Sequence, residues 1–66
     1  MQAFKLRVLE EKRLLDEKIE RLSAFVDGGV FTAVTEAEQD RLKRQLKLMQ
    51  EYSSVLGERI AAFPPK

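Results

Sequence analysis

Gln45, Tyr52 and Arg59 stand seven residues apart, a spacing that stacks them in one row on a helix. Their chemistry is that of recognition: an amide that reads polar edges, an aromatic face with a hydroxyl, and a guanidinium that grips phosphate or carboxylate. Antiparallel pairing of two helices about a turn near residue 31 sets Lys18 beside Gln45, Glu11 near Tyr52, and Phe4 with Arg7 near Arg59. Phe4, Arg7, Lys18, Gln45, Tyr52 and Arg59 thus compose a candidate ligand-binding set, with rings to stack a base and cations to hold its phosphate. A second reading makes the row an interface, in which Arg59 pairs with Glu11 of a neighbouring copy and Tyr52 packs with its hydroxyl wet. One hairpin cannot enclose a small anion, whereas symmetry-related copies can converge their cations on it.

Other chemistry is poorly supplied. The 66 residues include no histidine and no cysteine, so the usual zinc, copper and haem ligands and the usual nucleophile–base pairs are missing. With no paired-carboxylate site and no Gly-rich phosphate loop either, neither catalysis nor a cofactor nor a metal is expected. Twelve basic against eleven acidic residues leave a net charge of +1, too little for a footprint on long nucleic acid or an anionic membrane. Arg41, Lys43, Arg44 and Lys47 cluster but interleave with Glu36, Asp40 and Glu51, which reads as a solvated face with i,i+4 pairs. Glu10, Glu11, Glu17 and Glu20 with Lys12, Arg13 and Arg21 read as helix-surface pairing in the same way. The N-terminal stretch has charges every few residues, and no run approaches the ~18 apolar residues of a membrane span. A soluble, cytoplasmic protein is the expectation.

Two helices must position these residues. Phe4, Val8, Leu15, Ile19, Leu22 and Val26 recur at helical spacings, predicting a first helix over about residues 5–26. Asp27-Gly28-Gly29 closes it, with a glycine taking the left-handed conformation. A loop over 27–35 follows, in which Phe31 plugs one end of the core. Thr35 and Glu38 fit the capping box, each side chain serving the other's backbone N–H. Leu42, Leu46, Met49, Ser53, Leu56, Ile60 and Phe63 then carry a second helix over about 36–63, stopped by Pro64-Pro65. The expected fold is all-α, an antiparallel two-helix hairpin forming a single domain over residues 1–66.

The apolar stripe of the second helix is about 180° wide and grows to one side only. Leu48, Tyr52, Val55 and Ala62 lie beyond what a partner helix covers, and Leu14 and Phe25 do the same on the first helix. Because the helices are antiparallel, both excesses fall on one broad face. A hairpin this small also lies below the roughly 70–80 residues at which a lone core is comfortably stable. These six residues are therefore the expected interface of a homo-oligomeric helical bundle, with a dimeric four-helix bundle the simplest closure. Leu6 and Leu9, opposite the seam of the first helix, point to a further surface and a larger assembly. Ser53, Gly57 and Ala61 make a small-residue strip that is expected to accommodate Phe4.

The segments ERLSAFVDGGVF, EQDRLKRQL and LMQEYSSVLGERIAAF, with Gln45, Met49, Tyr52, Leu56, Arg59 and Ile60 as their most specific pattern, resemble short helical-hairpin proteins encoded by bacteriophages and prophages. Among phage hairpins of this size are sponge proteins of the anti-CBASS and anti-Thoeris type, which oligomerise and sequester cyclic nucleotide immune signals without degrading them. The resemblance implies an anti-defence protein that binds a cyclic oligonucleotide. The longer C-terminal segment and local motifs of the hairpin sponges are missing, so the site residues rest on the helical-face argument alone. The alternative from another class is a helical adaptor or inhibitor that docks a host or phage protein through the excess apolar face.

Overall fold

The computed structural model describes residues 2–64. It consists of α1 (Gln2–Asp27), a 3-10 helix over Gly29–Ala33, and α2 (Glu36–Ala61). Among the described residues there is no strand, in keeping with the helical periodicity. The helices lie antiparallel: Phe4 meets Phe63 at one end, Asp16 meets Ser53 midway, and Phe25 meets Phe31 at the turn. The result is a rod of 49 × 14 × 14 Å.

Val8, Leu15 and Leu56 form the buried centre, with Ile19, Met49, Ile60 and Phe63 packed against it. All seven belong to the apolar seams read from the sequence, because only residues three and four apart share the helix face that a neighbour can cover. Phe31 is buried separately at the turn, edge-on to Phe25 with ring centroids 5.8 Å apart. The Lys43 ammonium lies 5.8 Å from the Phe31 ring centroid and closes its other side.

Three local details depart from expectation. The glycine at the end of α1 is not left-handed: Gly28 has φ −85° and ψ 161°, and no described glycine has positive φ. The chain leaves α1 extended and enters the 3-10 helix directly. A Cβ at Gly28 would lie 3.3 Å from the Ala24 carbonyl oxygen, so crowding by the last helical turn is what glycine answers there.

The capping box is half formed. Thr35 Oγ1 accepts from the Glu38 N–H at 3.3 Å, but the Glu38 carboxylate accepts from Arg41 Nε at 2.8 Å and does not reach back. An ion pair one turn on competes successfully for the glutamate. At the far end α2 stops at Ala61, and Ala62 caps it with an αR backbone. Phe63 donates its N–H to the Ile60 carbonyl at 3.2 Å and folds back over the core.

The third departure concerns Gly57. An added Cβ there would meet Lys12 Cε at 3.4 Å, not Phe4. Phe4 instead packs edge-on against Phe63 at 5.9 Å. The small-residue strip is therefore crossed by the Lys12 stem, whose ammonium turns to Asp16 at 2.8 Å.

A chain of 7.6 kDa with 5118 Å² of accessible surface is open for its size. The scaling law for compact monomers gives about 4300 Å², so roughly 800 Å² lies exposed in excess.

Candidate functional site

The excess apolar face is open to solvent. Leu48 is 63% exposed, Val55 51%, Tyr52 45% and Leu14 45%, values that belong to surface residues although the side chains are large and apolar. Phe25, at 36%, gives part of its ring to Phe31 and presents the rest. Ala62 lies just past the end of α2, exposed on the turn toward Phe63.

Two clusters form on this face. Arg41, Arg44, Gln45, Leu48, Met49 and Tyr52 line an open groove of about 540 Å³ along α2. Gln45 leans along it, its amide 3.9 Å from the Met49 sulfur. At the opposite end of the rod the Arg59 guanidinium lies over the Phe4 ring, 5.7 Å from its centroid. That stacking aims the cation without neutralising it.

The structure thus unites Gln45 with Tyr52, and Phe4 with Arg59. It does not bring the six candidate residues to one point. Fourteen residues of helix separate Gln45 from Arg59, about 21 Å along the axis, so no small molecule bound to one protomer touches both. Arg7 and Lys18 project from α1, exposed.

The charge pattern explains why these cations are available. On α1 the Arg13 guanidinium is held by Glu10 at 2.6 Å and by Glu17, raising the Arg13 pKa and lowering that of Glu10 through the Arg13 hydrogen bond. These acids occupy the solvent side of α1. Among the described residues Arg7, Lys18, Arg21, Arg44 and Arg59 form no salt bridge.

The basic patch on α2 is less laced with ion pairs than its spacing implied. Arg41 pairs with Glu38, whereas Arg44 turns into the groove and Lys43 covers Phe31. Arg41 and Arg44 are groove residues that the sequence reading assigned to a solvated face. The signal was present for Arg41, which precedes Gln45 by four and so belongs to the same helical row.

Between the helices, the Ser53 hydroxyl donates to Asp16, which also accepts from the Lys12 ammonium. Those two donors, Lys12 foremost, hold the Asp16 carboxyl below its ordinary value of 3.8 against an opposing desolvation. Among the described residues no group of three or more acidic side chains could hold a metal ion, and no helix is long and apolar enough to cross a membrane.

The fold and face define a short helical hairpin whose exposed side mixes apolar, aromatic and cationic groups. Residues 2–62 match the model of the Sequestin family, and the chain belongs to that family. It is 40% identical over 63 residues to the "Uncharacterized 7.5 kDa protein in denB-rIIB intergenic region" of Enterobacteria phage T4, covering 96% of this chain and 98% of that one. No solved structure matches. The expected kinship with small phage helical proteins is thereby established.

Proposed function

We propose that this protein sequesters a small anionic nucleotide signal, a cyclic oligonucleotide, between the protomers of a homo-oligomer in the bacterial host cytoplasm, without turnover. It would serve a phage as an anti-defence sponge. One observation carries the reading: the exposed face sets Tyr52, the Phe4-backed Arg59 and several cations without acidic partners among apolar side chains, in a member of the Sequestin family. Aromatic rings bind base faces and guanidinium groups bind phosphate, so Phe4, Arg7, Lys18, Gln45, Tyr52 and Arg59 suit a phosphodiester-linked nucleotide. Leu14, Phe25, Leu48, Tyr52, Val55 and Ala62 supply the contact between copies.

Titration calorimetry against a panel of cyclic di- and trinucleotides tests this. Binding should occur, with the nucleotide recovered chemically unchanged by mass spectrometry. No binding with the protein at about 50 μM would overturn the proposal. If the protein sediments as a monomer and a host protein occupies the Leu48–Val55 face, the adaptor reading takes its place.

A further inference from the structure

On the excess face each helix carries an arginine toward either end, with apolar residues between them. On α2, Arg41 and Arg59 flank Leu48, Tyr52 and Val55; on α1, Arg7 and Arg21 flank Leu14. Both arrangements are symmetric about points within two residues of the helix midpoints. Arg41 and Arg59 are equidistant from residue 50, and Arg7 and Arg21 from residue 14. Turned end for end, two such helices match apolar middle to apolar middle and bring arginine to arginine at the ends.

We propose that two copies pack face to face about a two-fold axis crossing both helices at mid-length, and that this builds two identical anion sites. Each site takes Phe4, Arg7 and Arg59 from one protomer and Arg21, Phe25 and Arg41 from its partner. The inference rests on the sequestration reading and supplies the architecture of its site. Arg21 and Arg41 enter as ligand residues, and Gln45 and Arg59, far apart within one chain, come together across the interface.

Three features select the second copy and its orientation. The surplus exposed surface, roughly 800 Å² summed over the whole rod, is of the size that one partner contributes to a standard protein interface. End-for-end packing sets Leu14 opposite Leu14 of the partner protomer and Leu48 opposite Tyr52, so the apolar middle covers itself. It also sets Glu11 within one residue of the position opposite Lys18, both exposed and without a salt bridge in the single chain. The other two-fold, along the rod, places Glu11 against Tyr52 and leaves it no cation.

Electrostatics then links assembly to ligand. Each end gathers four arginines, of which Arg41 alone forms a salt bridge among the described residues, with Glu38. Their mutual repulsion weakens the empty dimer, and a bound phosphate anion relieves it, so ligand and dimerisation reinforce one another.

A complementation experiment tests the arrangement, with inorganic pyrophosphate as the probe. The double variants Arg7→Ala/Arg59→Ala and Arg21→Ala/Arg41→Ala each lose binding alone, because every site in either homodimer is damaged. Mixed in equal amounts they recover about one quarter of the wild-type capacity, since half of the dimers are mixed and one of the two sites in each is intact. Independently, a Leu14→Cys variant of this cysteine-free chain should be joined into a dimer by a short bismaleimide, while Lys47→Cys should not. Wild-type binding without recovery in the mixture, or no crosslink at position 14, overturns the end-for-end site and leaves sequestration standing. Recovery with pyrophosphate but no affinity for any cyclic nucleotide overturns the sequestration reading and leaves the site. A wild type that binds neither overturns both.

Discussion

Asp16 and Ser53 are the residue pair that fixes how the helices sit against each other. Ser53 is buried, and its hydroxyl donates to Asp16 across the helix interface. Ser53→Ala should lower stability by about 1 kcal/mol in chemical denaturation, the usual worth of one hydrogen bond. Asp16 adds a pH dependence. Its folded pKa lies below the unfolded one, so its contribution is complete above the ordinary aspartate value of 3.8 and is lost as pH falls through that value toward the depressed one. Thermal unfolding followed from about pH 5 to pH 2 should show a steeper loss for the wild type than for Asp16→Asn. Gly57 makes the opposite case. Its added Cβ meets only the flexible end of Lys12 at ordinary contact distance, so Gly57→Ala should stabilise the protein by up to about 1 kcal/mol through helix propensity. A fall in melting temperature would show that the Lys12 stem cannot yield.

Helix ends carry the next level of control. Thr35 was legible as a cap because a threonine before an acidic first turn has one economical use. The behaviour of Glu38 was not legible, since Arg41 and the cap compete for one carboxylate and only geometry decides. Thr35→Ala should therefore cost about 1 kcal/mol, and Glu38→Ala distinctly less, when both are measured by denaturant unfolding. The connector shows a similar division. Phe31 could be expected in the core as the largest apolar side chain between two helices. That it needs Phe25 on one side and Lys43 on the other follows from the 3-10 helix, which the sequence did not announce. Phe31→Ala should remove about 3 kcal/mol, enough to unfold so small a hairpin at dilute concentration.

Across the whole molecule, the imbalance between core and surface dominates. Among the described residues four apolar side chains are buried, while Leu48, Val55, Tyr52 and Leu14 remain about half exposed or more. If the face is covered by a second copy, the melting temperature should rise with protein concentration by mass action. Leu48→Glu/Val55→Glu should then sediment as a monomer and lose that concentration dependence, because two carboxylates cannot be buried in the interface without partners. A wild type whose melting temperature is independent of concentration would refute assembly through this face. Leu6 and Leu9, on the other side of α1 and likewise exposed, are not covered by the face-to-face pair.

Periodicity alone determined that the chain is helical, which residues make the seam, and that one face carries more apolar side chains than a hairpin can use. These follow from local rules, the 100° step of a helix and the backbone demands of its ends, and need no knowledge of distant neighbours. Tertiary structure decided matters in which side chains choose among several partners: Glu38 for Arg41, Lys12 for Asp16 over Gly57, Arg59 for Phe4. It also decided that Arg41 and Arg44 share a groove with Gln45 and Tyr52. Spacing along a helix gives direction around its axis and distance along it, and so already separates Gln45 from Arg59, but contact between helices and competition for a partner exist only once the helices have packed.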